Sequence, residues 1–188
     1  MKAKLESLRD LYLEQLSDLY NAEQQLIKAL PKMAKAASSE ELKAAFEDHF
    51  GKTRQHAQRI ETIFELMGAK VQGKKCKAME GLVEEGGEVI KEDMADNIKD
   101  SALIAAAQRV EHYEIAGYGC VWAYATKLGD TNAANLLGET LKEEKEADQT
   151  LSRIAEELNL PVRLEEDRSH KPVVGNIKAF HRKTKSAA

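Results

Sequence analysis

Apolar residues recur at steps of three and four along most of the first 160 positions, which is the period of an amphipathic helix. The first pattern predicts one long helix over residues 4–36, and its only breaker is Pro31, a residue compatible with a kink or an early end at that position. The second begins after an N-cap signal at Ser38 and Ser39 and ends at Gly68, a residue type typical of helix C-termini. These two segments predict an antiparallel helical hairpin.

A second hairpin is predicted in the other half of the chain. Its first helix is capped at Asn97 or Asp100 and ends before Gly129, and its second runs from Asp130 or Thr131 to Pro161. Between the hairpins, Cys76 to about Asp93 forms a shorter amphipathic segment weakened by two glycines. The pattern therefore predicts an all-α four-helix bundle over residues 1–159, with a long crossover that contains a short extra helix.

Composition agrees with long helices and excludes several classes of protein. Apolar residues make up 43% of the 188 positions, charged residues 32% and aromatic residues 5%, which argues against both disorder throughout and a β-sandwich. Cys76 and Cys120 lack the spacing of a zinc site, so both are interpreted as small core residues. Since no segment is apolar enough to span a bilayer and no secretory leader is visible, we expect a cytoplasmic protein.

Charge divides the chain into an acidic body and a basic tail. Residues 160–188 contain seven Lys or Arg and three acids, a balance of +4, which leaves 21 − 29 = −8 for residues 1–159. An acidic body attracts cations and repels phosphate backbones, so nucleic acid is an unlikely partner except for the tail. The tail, which has no sustained periodicity, is predicted to be flexible.

Ionisable residues interrupt the apolar stripe near the middle of every long helix. Isolated buried charges are costly, so such groups must be neutralised, paired or bound to metal. At 1.5 Å per residue, counting from the connecting turns places the residues of each hairpin at about the same depth. The candidates are Glu23 on the first helix, His49 and His56 on the second, Glu111 and Glu114 on the third, and Glu144 and Asp148 on the fourth.

Five carboxylates with one or two imidazoles form the ligand set used for two iron or manganese ions. The alternative is a salt-bridged or water-filled polar layer without metal. His56 by itself is more typical of a packed or surface histidine, and Tyr118 is interpreted as a core or dimer contact. Glu143, beside Glu144 in a charged run, is interpreted as part of the solvated face.

Four long stretches also resemble a known family, the stress-associated ferritin-like proteins of the YciF and YciE type. They are LYNAEQQLIKALPKMAKA, CKAMEGLVEEGGEVI, ALIAAAQRVEHYEIAGYG and LLGETLKEEKEAD. The resemblance covers about residues 4–159 and implies a ferritin-like bundle, a rubrerythrin-like carboxylate metal site and a homodimer. Carried over by position, it implies a ligand set of Glu23, His49, Glu111, Glu114, Glu144 and Asp148.

One position departs from the family pattern. Where relatives typically have His-x-x-Glu-Thr, this chain has His49, Phe50, Gly51, Lys52 and Thr53, so a lysine replaces an expected ligand. The Lys52 ammonium could take the place of a cation among the carboxylates, or it could extend to solvent and leave His56 to supply nitrogen. The first alternative makes the two-ion centre incomplete or absent.

The sequence is compatible with two functions. In the first, the protein is a di-iron or di-manganese carboxylate protein that oxidises ferrous ion or reduces oxygen or peroxide during stress. In the second, it is a non-enzymatic structural or interaction protein whose metal site is vacant or filled by Lys52. The partners expected from the sequence are metal ions, a small oxidant and a second copy of the chain.

Overall fold

Five α-helices account for nearly all of the residues that the structure describes. The computed structural model describes residues 5–71 and 73–159, and this part of the chain contains no strand. The predicted tail lies outside the described residues, so that prediction stays untested. The helices are α1 (Leu8–Ala36), α2 (Glu40–Leu66), α3 (Lys77–Lys91), α4 (Asp96–Lys127) and α5 (Thr131–Asn159).

The helices form the predicted four-helix bundle of ferritin-like type. α1 packs against α2 and α4 against α5, and contacts of α1 with α4 and of α2 with α5 close the bundle. The crossover helix α3 lies against α1 and α4. α1 continues through Pro31 to Ala36, as the pattern over residues 4–36 predicts, and does not end early at the proline.

The apolar core is divided into two clusters. One contains Leu26 and Met33 of α1 with Phe46, Ile104 and the late residues of α5, and it lies toward the C-terminal end of α1. The other lies toward the N-terminal end of α1, where its buried residues are Tyr12, Leu16, Leu19, Ile60, Ile63, Phe64, Tyr118, Val121, Ala125, Ala133 and Leu137. Between the clusters lies a layer of buried polar residues, which is the candidate site.

Two local predictions are corrected by the fold. Asp100 is predicted as a possible cap of the third long helix, but that helix begins earlier, at Asp96. The buried Asp100 carboxylate instead accepts hydrogen bonds of 2.8 Å from the backbone N–H groups of Ser38 and Ser39, at the start of α2. Cys76 is buried as predicted, whereas Cys120 is exposed, so its assignment to the core is wrong.

No helix among the described residues is long and apolar enough to cross a membrane. The cytoplasmic location stays a prediction.

Candidate metal centre

The polar layer between the two apolar clusters receives side chains from all four long helices. The carboxylates of Glu23, Glu111, Glu114 and Glu144 are buried there with the imidazoles of His49 and His56. Each residue occupies an apolar-stripe position of its helix, which directs its side chain toward the bundle axis. The depth counted from the sequence therefore corresponds to a real layer of ionisable groups.

One group of potential ligands is built around His49. Its Nε2 atom lies 3.3 Å from Glu111 Oε1 and 3.7 Å from Glu144 Oε2. Glu114 completes the group, and the four residues offer one nitrogen and three oxygen atoms that lie within 4.8 Å of one another. A single cation could contact all four donors.

A second group is built around His56. Its Nδ1 atom lies 2.9 Å from Glu144 Oε1 and 3.6 Å from Glu23 Oε1, and one donor atom from each residue lies within 4.8 Å of the others. Glu144 belongs to both groups and presents a different oxygen to each histidine. A carboxylate in this position can bridge two adjacent cations.

Two residues outside these groups hold members of them in place, and sequence analysis assigned neither to the site. The buried Tyr118 hydroxyl donates a hydrogen bond to Glu23 Oε1. Glu143 Oε2 lies 2.9 Å from His56 Nε2, and Arg59 bonds the same carboxylate. The interpretation of Glu143 as part of the solvated face is corrected, since its side chain is only 19% exposed and contacts His56.

The sequence contains a signal for Tyr118 but only a weak one for Glu143. Tyr118 follows Glu114 by four positions and Glu111 by seven, so all three share one helix face. Glu143 precedes Glu144 by one position, a rotation of about 100°. Glu143 still reaches His56 because α2 packs beside α5, and this packing cannot be inferred from the sequence of α5 alone.

Burial changes the protonation of the carboxylates. Desolvation, with the nearby charges of Glu144 and Glu23, raises the pKa values of Glu111 and Glu114 well above the usual glutamate range. Burial also raises the pKa of Glu23. In the absence of metal, burial therefore favours the neutral, protonated form of Glu111 and Glu114.

His56 and Glu144 behave as an ion pair. Burial alone would lower the pKa of His56, but the nearby carboxylates of Glu144 and Glu23 raise it to about 10. Burial alone would raise the pKa of Glu144, but the His56 imidazolium, whose Nδ1 lies 2.9 Å away, lowers it. His49 behaves in the opposite way to His56, because burial lowers its pKa and favours the neutral imidazole that a metal requires.

Several potential metal-ligand atoms of the layer have no hydrogen-bond partner among the described residues. They include both carboxylate oxygens of Glu114, Oε2 of Glu23 and Oε2 of Glu111. Leaving buried polar atoms unsatisfied costs about 1–3 kcal/mol each, so native proteins rarely keep so many in one place. Metal coordination would satisfy these atoms, and the donor set of oxygen with imidazole nitrogen fits iron or manganese.

Asp148 does not join either ligand group. Its side chain is 23% exposed, and Oδ1 lies 3.3 Å from Nε2 of the exposed His112 on the outside of the α4 and α5 pair. Four residues turn a helix by about 400°, so Asp148 is rotated about 40° from Glu144. The depth count for Asp148 is correct, but this rotation directs its carboxylate away from the centre.

The Lys52 ammonium pairs with Asp48 rather than with a glutamate of the buried layer. Its Nζ atom lies 2.9 Å from Asp48 Oδ2, and 31% of the side chain is exposed. Both residues line a cavity of about 40 Å³ that reaches His49 and Glu111. Of the two alternatives for Lys52, the structure therefore has the one in which the side chain extends toward solvent and the His56 imidazole lies inside the layer.

We expect Lys52→Gln to leave the metal content of the protein unchanged, because the ammonium is paired with Asp48 outside both ligand groups. Its effect on the free energy of unfolding should stay within about 0.5 kcal/mol, the usual range for surface positions. Elemental analysis and thermal unfolding check both quantities. Lys142→Gln on α5 is the matched control, and a rise in bound metal in Lys52→Gln alone would show that Lys52 competes with the metal.

The sequence has clear relatives. A family described as a domain of unknown function, DUF892, matches residues 7–160. The chain is 46% identical over 152 residues to protein YciF of Escherichia coli strain K12, a match that covers 80% of this chain and 92% of YciF. The resemblance inferred from the sequence is confirmed.

Solved structures show the same architecture. The E. coli stress protein YciF aligns with a TM-score of 0.80 at 45% identity, over 82% of this chain and 98% of its own. YcfI of Rhodopseudomonas palustris aligns with a TM-score of 0.77 at 38% identity, over 81% and 97% of the two chains. A dodecameric thioferritin from Bacteroides fragilis, 17% identical with a TM-score of 0.62 over 84% and 93%, shares the fold.

Proposed function

Because the chain belongs to the DUF892 family and has its bundle, we propose that it is a ferritin-like carboxylate protein that binds two iron or manganese ions side by side. The observation that carries the proposal is Glu144, the buried carboxylate common to both ligand groups. One ion would take His49, Glu111 and Glu114 as further ligands, and the other would take Glu23 and His56. The E. coli relative is named a stress protein, which supports a role under stress.

Charge balance supports two divalent ions. The layer contains four buried glutamates, whose combined charge of −4 when ionised equals the charge of two divalent cations with opposite sign. Metal binding would release the protons of Glu111 and Glu114, because ligating carboxylates must be ionised. His56 would likewise lose a proton from Nδ1, leaving Nε2–H to donate to Glu143.

The surrounding residues orient the ligands. The Tyr118 hydroxyl fixes Glu23, and the Glu143 carboxylate fixes the ring of His56. Carboxylates that hydrogen-bond the second nitrogen of a ligating histidine set its tautomer and increase its basicity. Arg59 balances the charge of Glu143 near the surface, so these contacts remain in place when metal is absent.

Bound iron would supply the electrons that reduce oxygen or peroxide while ferrous ion is oxidised to ferric. Around it, this chain excludes bulk water with two apolar clusters and leaves the small cavity beside Lys52 as a route for a molecule about the size of water. Anaerobic loading with ferrous ion, followed by peroxide or oxygen, tests this activity. Ferric absorbance should appear faster than in a matched Glu144→Ala sample.

The second candidate function is structural, and a relative's description favours it. YcfI of R. palustris is described as a candidate structural protein. A protein of this kind would keep the bundle without turnover. Equal oxidation rates for wild type and Glu144→Ala, with normal folding of both, would favour the structural role.

We also propose that the chain forms a homodimer through the outer face of α1. Leu13, Tyr20 and Ile27 repeat at steps of seven and are each only partly buried. Ile27 belongs to neither core cluster, so a second copy could cover it.

Sedimentation at micromolar concentration should give a species of twice 20.9 kDa. Ile27→Lys should shift the equilibrium to monomer, because it would bury a charge at the interface. The control is Ile98→Lys, at an exposed position of α4 outside the row. A single 20.9 kDa species for wild type would contradict the dimer.

A further inference from the structure

Two consecutive glycines, Gly86 and Gly87, lie in the interior of α3, although no backbone conformation there requires glycine. Glycine destabilises a helix interior by about 1 kcal/mol relative to alanine. Among the described residues, positive φ angles occur only at Gly68 and Gly129, so Gly86 and Gly87 have no conformational need for glycine. A Cβ atom at Gly87 would meet nothing within 4 Å, and one at Gly86 would only touch Ala106 Cβ at 3.9 Å.

Both glycines line a cavity between α1, α3 and α4. Its volume is about 110 Å³, and it opens partly to the surface. Most of the wall is apolar and includes Leu26, Met33 and Val83, while Gln25 and two lysines are its polar members. Because the absence of side chains at Gly86 and Gly87 leaves this space open, the cavity explains the glycine pair better than helix packing does.

Two lysines of α1, Lys28 and Lys32, lie in the lining one helical turn apart. Both are exposed, and neither forms an ion pair with an acidic residue in the part of the chain that the structure describes. Free ammonium groups beside an apolar cavity are complementary to a molecule with an anionic end and an aliphatic end.

We propose that this cavity binds a short linear aliphatic carboxylate, with its tail between α1, α3 and α4 and its carboxylate beside Lys28 and Lys32. A cavity of about 150 Å³ holds the six carbons of benzene, so 110 Å³ accommodates a tail of roughly four to five carbons. The absence of aromatic residues from the lining fits a flexible chain. The proposal is independent of the metal centre.

Titration with hexanoate tests the proposal, with 1-hexanol as the neutral probe of equal chain length. Methyl resonances of Met33 and Val83 should shift saturably with hexanoate. Hexanoate should bind about threefold to tenfold more tightly than hexanol, as expected for exposed charge pairs. In the Lys28→Gln/Lys32→Gln double variant, the two probes should bind equally.

Gly87→Leu tests the location of the ligand, because the added side chain would enter the cavity. It should abolish hexanoate binding, while Gly81→Leu is the matched control at an exposed α3 position where a Cβ also meets nothing within 4 Å. Circular dichroism and thermal unfolding establish that both variants fold. If Gly87→Leu does not fold, Gly87→Ala replaces it and should weaken hexanoate binding more than butanoate binding.

Three results would overturn the proposal. They are the absence of saturable hexanoate binding to wild type, equal binding of hexanoate and hexanol, and hexanoate binding that folded Gly87 variants leave unchanged.

Discussion

Replacing Glu144 with Ala is expected to remove both metal ions, because this carboxylate belongs to both groups of potential ligands. Removal of an outer-shell partner of a metal ligand typically lowers affinity 10-fold to 100-fold, so loss of a shared ligand should lower it by more than about 100-fold. Anaerobic titration with ferrous or manganous ion, followed by elemental analysis of the desalted protein, measures the effect.

Asp148→Ala is the matched control for that experiment. It removes the same charge from the same helix one turn later, but the Asp148 carboxylate lies beside His112 and outside both groups. It should retain wild-type metal content. Metal loss in Asp148→Ala equal to that in Glu144→Ala would mean that the cations respond to the charge of α5 rather than to the buried ligands.

The second large effect concerns stability without metal. Glu114 is fully buried, and neither of its carboxylate oxygens has a hydrogen-bond partner among the described residues. A buried polar group without a hydrogen-bond partner costs about 1–3 kcal/mol, and leucine removes that group at a similar side-chain volume. Glu114→Leu should therefore stabilise the metal-free protein by this amount, and it should weaken metal binding.

The stabilisation should depend on pH in a defined direction. Burial raises the folded-state pKa of Glu114 well above the ordinary value of 4.5, so the folded state binds more protons than the unfolded state above that pH. The stability of the metal-free wild type should then fall as pH rises from about 4.5 toward the folded-state pKa, and Glu114→Leu should lack this contribution.

Chemical unfolding of the metal-free proteins at several pH values measures both effects, and addition of manganous ion should stabilise only the wild type substantially. Glu65→Leu, at an exposed position of α2, controls for the loss of a carboxylate. If Glu114→Leu destabilises the metal-free protein, then Glu114 is satisfied by contacts such as ordered water, and its role as a poised ligand is wrong.

The bundle and the depth of its polar layer could be predicted because they depend on helical period and on distance from the turns. Glu23, Glu111 and Glu144 interrupt apolar stripes at matching depths, and each carboxylate is buried in the layer. Burial within one helix face is a local property of the sequence.

The remaining features depend on rotation about the helix axis and on contacts distant in sequence. Asp148 and His56 were both placed at the correct depth, but small differences in rotation exclude the first from the centre and bring in the second. Asp100 stabilises the start of α2 across 61 or 62 positions of sequence. Helical period does not specify such contacts, which depend on how the helices pack together.

We expect the buried layer to hold two metal ions bridged by Glu144, and anomalous scattering from crystals grown with manganese or iron would locate them. Two anomalous peaks are expected per chain, with Glu144 between them. One should lie beside His49, Glu111 and Glu114, and the other beside Glu23 and His56. Elemental analysis of the same preparation should give two ions per chain. If the protein contains metal but shows no anomalous peak in this layer, then the buried layer does not bind the ions.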